Sequence, residues 1–263
     1  MVTLETDGEG LIPSVLEKTL QELQSAEKPP RLLYTVPHGS NPSGASLPMS
    51  RKREIYEIAR KYNVVILEDD PYYYLQYDER IPSFLSIDTD GRVLRFDSFS
   101  KVLSSGMRVG WVTGPNALVD VLDFDIQVSA LHVSGLSQAC LIPILQEMGI
   151  EGFLKHADFV AGYYKNRMEV FRGFAEKHLT GLAEWTLPKA GMFFWFKLVG
   201  VDDSFSLIKE KALEEKVLLV PGNAFIPSGT SNCVRASFSS ATPSDQDEAL
   251  RRFAALLKAH KGA

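Results

Sequence analysis

The sequence predicts an α/β fold: part of a large domain with a mainly parallel sheet, followed by a small C-terminal α+β domain. Three observations predict it. Short continuous apolar runs alternate with stretches of helical periodicity in the first part of the chain, which is the pattern of βαβ units. The polar residues with chemical potential cluster at the carboxyl ends of those runs, where parallel sheets bind ligands. Beyond about Leu182 the order becomes strand, strand, helix, strand, strand, helix, which reads as a separate and smaller unit. The division is placed at 1–150 and 151–263, the second part opening with an interdomain helix.

Taken in order, the first residues form a strand ending in Asp-Gly, and a helix spans about Pro13–Ala26. Lys28-Pro29-Pro30 stops it, because proline cannot continue a helix. Arg31–Val36 is a short apolar run, expected as a buried strand, and Pro37-His-Gly-Ser-Asn-Pro-Ser-Gly44 is dense in turn residues. A second helix is expected over about Ser50–Tyr62, with Ile55, Ile58 and Ala59 at helical spacing. Val64–Leu67 and Val93–Phe96 are continuous apolar strands, closed by Glu68-Asp69-Asp70-Pro71 and by Asp97-Ser-Phe-Ser-Lys101. Two long helices follow, at about Ala117–Glu147 and Gly152–Leu179. The C-terminal unit has strands at Glu184–Leu187, Met192–Leu198, Val217–Val220 and Val234–Phe238. Its helices lie at about Phe205–Lys216 and from Pro243 onward.

The 263 residues are 45% hydrophobic and 23% charged, within the ordinary globular range. Net charge is −5, and no basic run exceeds Arg51-Lys52-Arg53, so a nucleic-acid footprint is excluded. That triplet is expected on the solvated face of its helix. Cys140 and Cys233 lack metal-ligand spacing and are expected as buried free thiols of a reducing compartment; no metal site is expected. No apolar stretch is long enough to span a membrane, and the N-terminus has neither a secretory nor a transit character. The expectation is a soluble, intracellular protein.

Lys101 lies between Ser98-Phe-Ser100 and Ser104-Ser-Gly-Met-Arg108-Val-Gly110. An amine among small hydroxylated residues, with an arginine seven positions on, suits a phosphate-bearing aldehyde. Lys101 can form a Schiff base while Ser98, Ser100 and Arg108 donate to the phosphate. Gly106 and Gly110 let the backbone approach closely. The plainer reading is an exposed lysine in a loop. Asp69 closes an apolar strand, so its carboxylate needs a cation, and a protonated pyridine nitrogen is one; a helix cap or loop acid is the alternative. Asp70, immediately before Pro71, is read as shaping the turn. Asn41 and Tyr72 can donate to a phenolic oxygen, or be a turn and core filling respectively. Arg235, inside an apolar strand, calls for an anion. A bidentate α-carboxylate and a structural salt bridge both satisfy it.

In this order and spacing the motifs resemble fold-type I, class I/II aminotransferases, closest to the kynurenine/2-aminoadipate subgroup. The residues are Asn41-Pro-Ser-Gly44, Asp69 with Tyr72, Ser98-x-Ser-Lys101, Arg108 and Arg235. Pro188-Lys-Ala-Gly-Met-Phe193 and Pro221-Gly-Asn-Ala-Phe225 are similar to small-domain landmarks of the family. Tyr34-Thr-Val-Pro37, Glu68–Gln76, Asp97–Gly106 and Leu182-Ala-Glu-Trp185 point to the subgroup. The resemblance implies the aspartate-aminotransferase fold, pyridoxal 5'-phosphate as cofactor and amino transfer from an amino acid to a 2-oxo acid such as 2-oxoglutarate. By it, Lys101 carries the cofactor and moves the proton. Asp69 meets the ring nitrogen, Asn41 and Tyr72 the ring oxygen, and Ser98, Ser100 and Arg108 the phosphate. Asn41 and Arg235 bind the substrate, Arg235 through its α-carboxylate. It also implies a homodimer in the full-length form, a cytosolic or mitochondrial location, and a stretch of the family fold ahead of Met1. Other enzymes of the fold, β-lyases or aminocyclopropane-carboxylate synthases, are the catalytic alternatives. A non-catalytic sensor domain, or a fragment pairing with full-length subunits, is the alternative of another class.

Overall fold

The computed structural model describes residues 1–227 and 229–261. A two-residue hairpin, β1 (Thr6–Asp7) and β2 (Gly10–Leu11), leads into α1 (Pro13–Ser25), where Pro13 occupies the first helical turn and loses no hydrogen bond there. Pro13, Leu16 and Leu20 form its buried face. Then come β3 (Leu32–Thr35), α2 (Met49–Lys61), β4 (Val65–Asp69), β5 (Val93–Ser98) and β6 (Gly110–Thr113).

These four strands form one sheet in the order β3-β4-β5-β6, with β3, β4 and β5 parallel and β6 antiparallel to β5. Leu11, Leu16, Leu20, Ile55, Ile66, Phe84 and Val93 pack a core between α1, α2 and the sheet. Because Thr35 pairs with Glu68 and Asp69 with Phe96, the carboxyl ends of three adjacent strands lie side by side.

β6 was not expected. Its Gly-Trp-Val-Thr sequence carries no apolar run, and the strand exists because Gly110 lets the backbone close on β5. A Cβ there would stand 2.6 Å from the Asp97 carbonyl oxygen. The helix expected over 117–147 is two: α3 (Asn116–Ser129) ends before Leu131, which is left-handed at φ +63°. Ser134 then caps α4 (Gly135–Leu179) by accepting from the Ser137 N–H. α4 is itself interrupted at Gly149, whose φ of 60° and ψ of −177° are not helical.

Beyond α4 lie β7 (Ala183–Glu184), β8 (Phe193–Leu198), α5 (Ser204–Ser206, continuing as a π-helix over Leu207–Ala212), β9 (Val220–Pro221), β10 (Cys233–Ser237) and α6 (Pro243–Lys261). The strands form an antiparallel sheet ordered β7-β8-β10-β9. The strand expected at 217–220 shrinks to its last residue and Pro221, since only these reach β10. Phe171, Phe194, Phe196, Phe238 and Phe253 fill the core against α4 and α6, joined by Tyr72, Leu75 and Val102 from the first sheet's loops.

Two expectations about single residues are corrected. Cys140 is exposed and Cys233 half-buried; both thiols are free. Lys52 is not solvated but 0% exposed. Among the described residues no helix is long and apolar enough to cross a membrane.

Candidate active site

The loops after β3, β4 and β5 deliver the site. The β3 loop turns at Gly39 (φ +54°) and Gly44 (φ +70°) and carries Asn41, followed by a cis bond to Pro42. A Cβ on Gly39 would lie 2.7 Å from the Ala190 carbonyl carbon, so this loop packs backbone to backbone on the segment before β8. The loop after β4 packs on the same segment: Tyr77 N–H donates to Lys189 O at 3.1 Å and Tyr77 Oη to Gly191 O at 2.9 Å.

β4 runs further than its apolar residues and ends on Asp69 itself. Tyr34 Oη donates to Asp69 Oδ2 at 2.5 Å, and Asp69 Oδ1 receives no hydrogen bond among the described residues. Tyr72 begins the turn before a short 3₁₀ segment. Its ring is buried and stands edge-on to Phe193, with centroids 6.1 Å apart, and its hydroxyl has no hydrogen-bond partner among the described residues. Burial raises the Tyr72 phenol above its ordinary range, the Arg235 charge opposes that, and the Asp69 charge adds to it. The side chains of β4's loop and β10 therefore share one electrostatic neighbourhood.

After β5, Ser98 Oγ accepts from the Ser100 N–H at 3.1 Å, folding the Ser98–Lys101 turn. Val102 anchors it in the core, and His156 of α4 meets the Val102 carbonyl at 2.8 Å. Arg108 is left-handed at φ +52° and points its Nη1 at Ser100 Oγ, 3.2 Å away. Arg235 of β10 lies over the Phe193 ring at 4.2 Å and the Phe225 ring at 5.0 Å, and donates to Asn41 Oδ1 at 2.7 Å. This bond joins two residues 194 positions apart in sequence. Burial lowers the Arg235 guanidinium from its ordinary range.

Among the described residues Lys101, Arg108 and Arg235 meet no carboxylate. The buried cations behind the site are treated differently. Arg95 grips Asp97 with two bonds of 2.8 and 2.7 Å and reaches Asp70 at 3.5 Å. Asp70 also holds His38 Nδ1 at 2.8 Å, and His38 Nε2 meets Lys52 Nζ at 2.6 Å. Asp70 is therefore more than a turn residue: it ties the β3 loop to β5 through a buried network. Sequence reading missed this network and Tyr34. Lys52 alone carried a signal, lying three, four and seven residues before Ile55, Tyr56 and Ala59 on the buried face of α2.

The donor set fits a phosphorylated pyridine aldehyde. Among the described residues it has an unpartnered amine, a serine-flanked arginine without a carboxylate, an unpartnered phenol, and a strand-end carboxylate with one free oxygen. Beside it, on the outer side of β3, a cleft of about 1010 Å³ is lined by Leu32, Tyr34, Asn41, Trp195 and Phe225.

The family model described as Aminotransferase class I and II matches residues 5–253. The chain belongs to that family. It is 48% identical over 267 residues to the mouse kynurenine/α-aminoadipate aminotransferase, a match covering 98% of this chain and 63% of the mouse protein. It is 42% identical to the aminotransferase tdiD of Emericella nidulans, across 98% of this chain and 62% of that protein. Among solved structures, the Pyrococcus horikoshii kynurenine aminotransferase in complex with PMP superposes with a TM-score of 0.92 at 29% identity. It matches 100% of this chain and 64% of its own. The Thermus thermophilus α-aminoadipate aminotransferase LysN, complexed with N-(5'-phosphopyridoxyl)-L-leucine, gives 0.88 at 28% identity over 98% of this chain and 65% of that one. The chain thus spans less than two thirds of the length of these aminotransferases.

Proposed function

We propose that this chain carries the lysine-bearing part of an aminotransferase site. With pyridoxal 5'-phosphate bound, the site moves an amino group from an amino acid of the kynurenine, 2-aminoadipate or aromatic kind to a 2-oxo acid such as 2-oxoglutarate. The observation that carries the reading is the convergence at three adjacent strand ends. Asn41, Asp69 with Tyr72, and Ser98 to Lys101 follow those strand ends, and Arg235 of the second sheet bonds Asn41.

Each residue's role follows from its surroundings. Bound pyridoxal phosphate supplies an electron sink that makes the amino acid's Cα–H acidic. Lys101 would hold the cofactor covalently and, as a free amine, would be the base for the substrate Cα proton. Ser98, Ser100 and Arg108 bind the phosphate: two hydroxyls and a guanidinium with no carboxylate of its own to satisfy. Asp69 offers its free Oδ1 to the ring nitrogen. Tyr72 and Asn41 orient the ring oxygen. Arg235 binds the substrate carboxylate, its plane already fixed between Phe193 and Phe225. The kynurenine/2-aminoadipate class is supported by the mouse relative's name and by the aromatic lining that Trp195 and Phe225 give the adjoining cleft.

The test is reconstitution with pyridoxal phosphate followed by borohydride reduction and peptide mapping. One cofactor per chain on Lys101, lost in Lys101→Ala, supports the reading; labelling spread over surface lysines overturns it. A second reading is supported by α3, which buries none of its side chains fully. On that reading the chain acts only when paired with longer subunits, a full-length homodimer being their usual partner. Co-purification with a full-length subunit, and turnover appearing only then, would favour it.

A further inference from the structure

The Asp69 carboxylate has a neighbour to which no role has yet been given. Tyr34 lies on β3 opposite Leu67, and Asp69 is two residues further along β4, so the two side chains emerge on the same face as diagonal neighbours. The phenol spans that diagonal and donates to Oδ2 at 2.5 Å. Little else explains the residue. Tyr34 is 62% exposed, so its ring contributes nothing to either core, and the bond to Asp69 is its only side-chain hydrogen bond among the described residues.

The chemistry of the pair is one-directional. Burial of the hydroxyl, and then the Asp69 charge, raise the phenol above its ordinary range, so it stays protonated and can only donate to the carboxylate. The donated bond ties Oδ2 of Asp69 to the neighbouring strand. Fixing Oδ2 also fixes the carboxylate plane, leaving Oδ1 as the free acceptor. The other phenol nearby, Tyr72, feels the Asp69 charge but makes no hydrogen bond to it.

Resting on the cofactor reading above, we propose that Tyr34 is a positioning residue for the cofactor's ring nitrogen. It acts through Asp69 by clamping Oδ2 so that the carboxylate presents Oδ1 to the ring N–H. The role asks for no contact between Tyr34 and the cofactor. It predicts that Tyr34 matters only to ligands that carry that nitrogen.

The experiment compares dissociation constants of wild type and Tyr34→Phe for two probes. One is pyridoxal phosphate; the other is its 1-deaza analogue, in which a C–H replaces the ring nitrogen. Wild type should prefer pyridoxal phosphate, and Tyr34→Phe should cut that preference about tenfold, the scale of one charge-assisted hydrogen bond. The loss should fall on pyridoxal phosphate alone. In an Asp69→Asn background, Tyr34→Phe should change the preference no further. Equal weakening of both probes would assign Tyr34 a structural role and overturn the proposal, as would an unchanged preference. A wild-type chain that binds both probes equally overturns the role of Asp69 and Tyr34's with it. A chain that takes up neither probe on Lys101 overturns the cofactor reading itself. Circular dichroism controls for folding, and the exposed ring makes Phe a mild change there.

Discussion

Arg95 and Arg235 sit in neighbouring parts of the molecule and are treated in opposite ways. Against its burial, two bonds to Asp97 and the charge of Asp70 hold the Arg95 guanidinium above its ordinary range; its charge is already matched by carboxylates. Arg235 is half-buried against two rings and, among the described residues, bonds only a neutral amide, which leaves its planar fork available. Arg235→Lys keeps the charge but loses the fork. It should raise the dissociation constant for 2-oxoglutarate about 10–100-fold, the scale of bonds to a charged group. Cofactor stoichiometry on Lys101 should not change. Titration of the cofactor absorbance reads the first, and borohydride mapping the second. The buried network makes a separate prediction about pH. Burial raises Glu68 from its ordinary 4.5 to about 7, although it accepts from Phe84 and Leu85 N–H groups, and burial lowers Lys52 from 10.5 to about 8. Between pH 4.5 and 7 the folded chain therefore binds the Glu68 proton more tightly than the unfolded chain does, and stability falls as pH rises through that window. Between about 8 and 10.5 the unfolded chain binds the Lys52 proton more tightly, and stability climbs again. Denaturant unfolding should show the advantage of wild type over Glu68→Gln shrinking by roughly 1–3 kcal/mol from pH 5 to pH 7.5. A flat difference would mean that Glu68 is not titrating in the folded state.

At the scale of elements, the decisive contact is the one between the β3 loop and the segment before β8. Gly39 and Gly191, at φ +54° and +82°, let two backbones meet where a Cβ on either would stand 3.0 Å or less from the other strand of chain. Gly39→Ala adds both a left-handed strain and a backbone clash. It should cost on the order of 2–4 kcal/mol of stability. Because it moves the loop that carries Asn41 away from Arg235, it should also weaken cofactor uptake more than an equally destabilising change in α6. Thermal unfolding and cofactor titration of the two variants check this. Elements were legible in the sequence where one force dominated. β3, β4 and β5 were legible as short apolar runs between helices, the pattern of a parallel sheet, and the residues that close β4 and β5, Asp69 and the Ser98–Lys101 turn, belong to the proposed site. β6 was not legible, because it rests on the missing Cβ of Gly110 rather than on a pattern. The break between α3 and α4 was not legible either, because Leu131 in a left-handed conformation looks like any apolar residue of a helix. Tyr34 could not be linked to Asp69 without the register that sets them diagonally. We propose that the division between the two units falls at the non-helical Gly149, close to the 150/151 boundary expected from the order of elements. Limited proteolysis should cut first within 130–134 or 146–152 and release a fragment retaining α6.

For the whole molecule, the distribution of apolar surface is the property with consequences. β3 is an edge of the first sheet, with Leu32 and Tyr34 turned outward, and α3 exposes Val121, Phe124, Ile126 and Val128 while covering Leu118, Val119 and Leu122 only in part. The first part of α4 adds Leu136, Ile142 and Ile150. An amphipathic helix is stable in a protein mainly through the face it buries, and a helix of 14 residues is marginal without one. Large contiguous apolar surface on a soluble chain drives association. At micromolar concentration the chain should therefore bind a hydrophobic dye strongly, and its mass by light scattering should rise with concentration above that of the monomer. Replacing Phe124 and Val128 by glutamate should lower both signals without altering borohydride labelling of Lys101, because neither residue lies in the loops that build the site. Baseline dye fluorescence and a monomer mass at every concentration would show instead that α3 folds back onto the sheet in solution. The site residues would then have to be placed again from a structure in which β3 is covered.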